Sequence, residues 1–243
     1  MFHGVTACPD QFDGLAKTFF DAGYNVYAPL TPQHGFADKK THGKVTADEL
    51  VDYVNQSVTI GTGLGSEVGV VGLSGGGMLA TWASEYRPEV KRALALSPFY
   101  EPASAQAPKW QLPFLSVMYG YHILPDNFIV PADPNGAAFS YRALANYLLV
   151  KKNLKESPDN LPLKSFSVIT SDDDDQIDLP MAHSIPQDIS AKNPKMTFLE
   201  TNLPAEWKIG HDIVSLENAN VASRSEQLFR LYFNSYEGKT TNL

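Results

Sequence analysis

An apolar run, EVGVVGL (residues 67–73), ends at Ser74, which has Gly72 two places before it and Gly75, Gly76 and Gly77 after it. The chain then continues as GGMLATWASEYR, which reads as a helix. Gly-x-Ser-x-Gly between a buried strand and a helix is the pattern of a sharp strand-to-helix turn that holds a serine hydroxyl out in front of the helix. Such a turn brings backbone segments very close together, so the residues beside the serine must lack side-chain bulk. It also puts the hydroxyl at the positive end of a helix, where developing negative charge is favoured. A phosphate loop would need G-x-x-x-x-G-K-[ST], which is absent, and no G-x-G-x-x-G follows the strand.

The rest of the chain repeats the same alternation. PDQFDGLAKTFFDAG spaces Phe12, Leu15, Phe19 and Phe20 as a helix does and stops at Gly23. YNVYAPL (24–30) alternates and is rich in β-formers, so it reads as a strand. TADELVDYVNQSV reads as a helix capped by Thr46, with Glu49 completing a capping box. VKRALALSPF, KSFSVITS and KMTFLE read as further strands, and SLENANVASRSEQLFRLYFNSY as one closing amphipathic helix. Strands and helices alternating at this spacing predict βα units and a largely parallel sheet. Residues 100–164 break the rhythm with clustered prolines, frequent aromatics and one good helix, YRALANYLLVKKNLKE. That composition predicts a cap or lid inserted between core segments 1–99 and 165–243.

Composition narrows the function classes. With 243 residues, 43% hydrophobic and 19% charged, the chain can form one substantial domain. The net charge of −8, with no offsetting basic cluster, disfavours nucleic acid and anionic membranes as partners. The single cysteine, Cys8, excludes an internal disulfide and a thiolate metal cage, and no stretch is long and apolar enough to span a bilayer.

A serine hydroxyl is a weak nucleophile that needs a base, and the base needs an acid to orient it. In sheets that carry such an elbow the chain order is Ser, then Asp or Glu, then His after the last strand. His183 precedes KMTFLE and His211 follows it, so His211 is the candidate base. The acid must come from VITSDDDDQID. Asp174 is the choice if Ile177 packs into the core, with Asp175 as the alternative; the other carboxylates of the run read as a solvated turn. Oxyanion donors would be the N–H of Gly75, just after the serine, and the N–H of Val5 in FHGVT.

With these residues assembled, the chain resembles the α/β-hydrolase family, in particular small bacterial carboxylesterases and monoacylglycerol-lipase-like enzymes. HGVTACPDQF, YNVYAPLTPQHG, VVGLSGGG, LALSPF, VITSDDDDQI and IGHDIV occur in family order over nearly the whole chain. The resemblance implies an α/β-hydrolase fold, a mostly parallel sheet flanked by helices, with Ser74 as nucleophile, Asp174 as acid, His211 as base and Val5 and Gly75 as oxyanion donors. It implies no metal or organic cofactor. The substrate would be a small-molecule carboxylic ester, and the apolar cap (KWQLPFLSVMYGYHILP) favours an apolar acyl or aromatic part. A peptidase, a thioesterase or a C–C bond hydrolase on the same scaffold, or a non-catalytic binder that kept the pocket, are the alternatives. Family members carry further strands before the His-Gly loop, which here starts at residue 3. MFHG therefore reads as the end of a strand in an apparently truncated N-terminal part, whose loss would leave backbone unpaired on a neighbour.

Overall fold

The computed structural model describes residues 1–121, 123–124, 129–131, 138–159 and 161–241. Its strands are β1 (Val68–Leu73), β2 (Val90–Leu96), β3 (Ile129–Pro131), β4 (Ala138–Ser140), β5 (Ser165–Ser171) and β6 (Thr197–Leu203). β1, β2, β5 and β6 make one sheet in the order β1-β2-β5-β6, parallel throughout, while β3 and β4 pair antiparallel in a separate hairpin. The helices are α1 (Asp13–Asp21), α2 (Ala47–Thr62), α3 (Gly75–Tyr86), α4 (Leu112–Gly120), α5 (Tyr141–Lys151), α6 (Leu179–Lys192), α7 (Ala219–Ala222) and α8 (Ser225–Tyr236).

Alternate strand residues serve opposite faces, as the pleat requires. Val70, Ala93, Ala95, Phe166 and Val168 pack on the side of α2, α3, α5 and α6, while Val71, Leu73, Leu94, Leu96 and Ile169 pack on the side of α1 and α8. Small Ala93 and Ala95 face α3, which lets its glycine-rich first turn come close to the sheet. α2 starts as its sequence requires: the Thr46 hydroxyl accepts the Glu49 N–H at 3.2 Å, and Glu49 Oε2 accepts the Thr46 N–H at 2.9 Å.

Two expectations need correction. Tyr24–Leu30 runs without strand pairing, because the space between it and β1 is a cavity of about 360 Å³ lined by Tyr24, Val26, Val68 and Val70 among others. With no neighbour to form a ladder, β propensity alone makes no strand. MFHG lies beside β1 as the end of a strand would: Phe2 makes a single parallel bridge with Gly72, its N–H donating to Val71 O at 2.8 Å and its carbonyl accepting Leu73 N–H at 3.1 Å. The closing helix is two, α7 and α8, interrupted at Ser223–Arg224. α6 had no counterpart in the sequence pattern, since LPMAHSIPQDISAK contains two prolines. Pro180 sits in the first turn, where its missing N–H costs nothing, and Asp178 caps the helix by accepting Met181 N–H at 3.0 Å. Segment 100–164 contains α4, the β3-β4 hairpin and α5; its residues 122, 125–128, 132–137 and 160, including part of the apolar stretch, lie outside the described residues.

One buried acid in α3 sets a pH dependence. Glu85 is 7% exposed; its Oε2 accepts Lys155 N–H at 2.9 Å while Oε1 is buried without a partner, and burial pushes its pKa up to about 7. A carboxyl with a raised folded pKa holds its proton better folded than unfolded. Its penalty is therefore absent below the unfolded value of 4.5, grows as pH rises to about 7, and is complete above that. Glu85→Gln accordingly stabilises the protein by about 1–3 kcal/mol at pH 8 and by almost nothing at pH 4 in denaturant titrations. Equal shifts at both pH values would refute the account.

Candidate active site

The site lies where the C-terminal ends of β1, β5 and β6 deliver their loops. Ser74 follows β1 directly and takes φ 57°, ψ −122°, a backbone region that costs a non-glycine residue about 1–3 kcal/mol. Hydrogen bonds hold it there: Ser74 N–H donates to Leu96 O at 2.9 Å, and Ser74 O accepts from Met78 N–H at 3.1 Å and Phe99 N–H at 2.9 Å. The side chain thus stands in front of the α3 N-terminus.

Of the four aspartates after β5, only Asp174 is buried; Asp172, Asp173 and Asp175 are exposed. Ile177 is buried at 3% exposure and bridges to Pro102, and Asp174, three residues before it, is buried as well. The fully buried Asp174 carboxylate accepts Gln176 N–H at 2.9 Å through Oδ1 and His211 Nδ1–H at 2.8 Å through Oδ2. His211 comes from the loop after β6 and is partly exposed. The structure therefore brings Asp174 and His211 together. It draws no hydrogen bond between His211 and Ser74, whose hydroxyl has no partner among the described residues. His183 is engaged elsewhere, with Glu200.

Val5 and Gly75 are neighbours: a β-carbon placed on Gly75 would lie 2.6 Å from Val5 Cγ2 and 2.7 Å from Tyr147 Cε1. The preceding peptide is pinned, because Gly4 O accepts Ala7 N–H at 3.1 Å and His3 Nδ1–H at 2.9 Å. In a trans peptide the N–H points opposite to the carbonyl, so holding Gly4 O fixes the direction of Val5 N–H. His3 can donate from Nδ1 because its Nε2 accepts Thr31 N–H at 3.0 Å, which defines the neutral tautomer. Burial depresses the His3 pKa to about 4, in keeping with that neutral ring.

Two further side chains reach this loop that sequence reasoning missed. His34 sets Nδ1 against Pro32 O at 2.9 Å and Nε2 against the Val5 carbonyl. Gln11 Oε1 accepts Gly4 N–H at 3.0 Å. The quoted segments HGVTACPDQF and YNVYAPLTPQHG contain both residues, but nothing in either distinguishes them from a helix-start glutamine and a turn histidine. Among the described residues no three His, Cys, Asp or Glu side chains converge to hold a metal ion.

A model of the alpha/beta hydrolase fold matches residues 1–182, a span that contains Ser74 and Asp174 and stops short of His211. Solved structures agree over nearly the full chain. A monoacylglycerol lipase of Paleococcus ferrophilus is similar at 16% identity and a TM-score of 0.64, covering 94% of this chain and 92% of that one. A soluble variant of monoglyceride lipase from Saccharomyces cerevisiae, in complex with a substrate analog, is similar at 13% identity and TM-score 0.61, covering 98% and 85%. A structure of the metagenome-derived lipolytic enzymes LipS and LipT is similar at 20% identity and TM-score 0.59, covering 94% and 91%. At these identities the likeness is one of fold. No curated protein sequence matches.

Proposed function

Because this chain belongs to the alpha/beta hydrolase fold family, we propose that it is a serine hydrolase of carboxylic esters, working through an acyl-enzyme on Ser74. The observation that carries the proposal is the buried Asp174 carboxylate on His211 Nδ1, delivered by the loops after β5 and β6 to the same C-terminal end of the sheet as the strained serine. With Nδ1–H donated to Asp174, Nε2 is left as the basic nitrogen. Ser74 Oγ attacks the ester carbonyl while His211 Nε2 takes its proton. The tetrahedral oxyanion forms against the N–H groups of Gly75 and Val5. His211 then protonates the leaving alcohol, and later deprotonates the water that releases the acid. The Ser74–His211 hydrogen bond that this scheme requires would form in the Michaelis complex.

Ester rather than amide or thioester chemistry is favoured by the lipases and esterases among the structural neighbours. The segment 100–164 acts in this reading as a cap over the site. Its Trp110, Phe114, Val117 and Tyr121 are exposed apolar or aromatic side chains along α4 and the turn before it, suited to an apolar acyl group.

Labelling with a fluorophosphonate, followed by peptide mass mapping, tests the proposal. The adduct is expected on Ser74 alone, with turnover of p-nitrophenyl esters and little on aminoacyl or thioester substrates in the same panel. A folded protein that takes no label would identify a binding protein instead.

A further inference from the structure

The oxyanion loop and the histidine loop are joined by one side chain. Gln11 Oε1 accepts Gly4 N–H at 3.0 Å, and its Nε2 donates to Asp212 Oδ2 at 3.0 Å, across 201 residues of sequence. Asp212 is the residue after His211. Its other oxygen, Oδ1, accepts Val214 N–H at 3.1 Å and Ser215 N–H at 3.0 Å, so the same carboxylate closes the turn in which His211 sits. The turn is tied down further by Asn218 Nδ2, which donates to Asp212 O at 3.0 Å and Ile209 O at 2.8 Å, and by the Tyr232 hydroxyl, which donates to Ile213 O at 2.8 Å.

The bridge demands a particular chemistry. One end needs an acceptor for a backbone N–H, the other a donor to a carboxylate, on one rigid group; the glutamine carboxamide supplies both. Glutamate cannot donate at neutral pH and would face Asp212 with like charge, and asparagine is one methylene too short. The partners also fix the amide orientation without ambiguity. At the near end, Gly4 lies against the nucleophile: a β-carbon on Gly4 would stand 3.7 Å from Ser74 Cβ.

We infer that Gln11 is a positioning residue for the reaction. It holds the Gly4–Val5 peptide and the His211 turn in fixed relation, so that the oxyanion donor and the base meet the same tetrahedral carbon. This rests on the serine-hydrolase reading above. Gln11 contacts no reacting atom in that scheme; it acts through Gly4 and Asp212, and its loss would appear in the transition state rather than in substrate binding.

Steady-state kinetics on a p-nitrophenyl ester test the inference with Gln11→Ala, Gln11→Glu and the double variant Gln11→Glu/Asp212→Asn. The single variants should lose about 10- to 100-fold in kcat with KM within about threefold, the range for groups that orient a catalytic centre. Affinity for a phenylboronic acid, which forms a tetrahedral adduct on serine, should fall with kcat, while thermal midpoints stay near wild type. The double variant reverses the polarity of the far contact. The introduced asparagine would donate from Nδ2 to the introduced glutamate and keep Oδ1 for Val214 and Ser215. The glutamate would still accept Gly4 N–H, so most of the lost kcat should return. Unchanged kcat in the single variants, a loss carried by KM or by unfolding, or no recovery in the double variant would overturn the positioning role. A wild-type protein that neither turns over nor labels would overturn the serine-hydrolase reading itself.

Discussion

Ser74→Ala is expected to lower kcat for p-nitrophenyl ester hydrolysis by about 10⁶, the scale on which comparable serine triads fail when the nucleophile is removed. The variant should fold as wild type does, since alanine keeps the β-carbon and the Ser74 hydroxyl bonds to nothing among the described residues. Asp174→Asn should cost about 10⁴ by a different route. An asparagine there can keep its oxygen on Gln176 N–H only by turning its NH₂ toward His211 Nδ1. That would put the imidazole proton on Nε2, where it blocks acceptance of the serine proton. Asp175→Asn, at an exposed carboxylate, should leave kcat within about threefold. Turnover surviving in Ser74→Ala, or an Asp175 variant as damaged as the Asp174 variant, would dismantle the triad.

Gly76→Ala is expected to be among the most destabilising single methyls in the molecule, at more than about 4 kcal/mol. A β-carbon there would lie 2.5 Å from the Phe2 carbonyl carbon and 2.7 Å from the His3 carbonyl oxygen, with the Phe2 oxygen closer still. All three atoms are backbone, and none can swing aside. Phe2 O also accepts Leu73 N–H, so yielding would break the pairing that holds the residues before the His3-Gly4-Val5 loop. Gly65→Ala, where the nearest atom would be 3.6 Å away, is the control and should change stability by less than about 1 kcal/mol. Denaturant midpoints of the two variants decide the matter, and near-equality would refute the close-approach argument.

What the sequence made legible was whatever depends on neighbours within a few residues or on order along the chain. The glycines around Ser74 announce a sharp turn because one of its backbone crossings, Gly72 against Gly76, is local. The Thr46–Glu49 capping box was readable for the same reason. The burial of Asp174 among its exposed neighbours goes with that of a single apolar residue three positions on, Ile177. Where pairing decides, the sequence misled. YNVYAPL has strand propensity and no strand to lie against. Prolines hid α6, although one sits where a helix tolerates it and the other, Pro186, is carried within the helix. The Gln11–Asp212 contact was beyond reach altogether, because nothing local marks a glutamine whose two partners come from opposite ends of the chain.

β6 carries a consequence for how the protein ages and inactivates. It forms the outer edge of the sheet, paired only with β5, and most of its residues are partly or fully exposed. Asp174 hangs from β5 within the sheet, but His211 hangs from the rim. Edges open at lower free energy than centres. Under the proposed mechanism, activity is therefore expected to be lost before the fold: on heating, ester turnover should fall at a lower temperature than the global melting transition. Working lifetime should then track the hold of that peripheral strand and of the turn that follows it more closely than it tracks global stability.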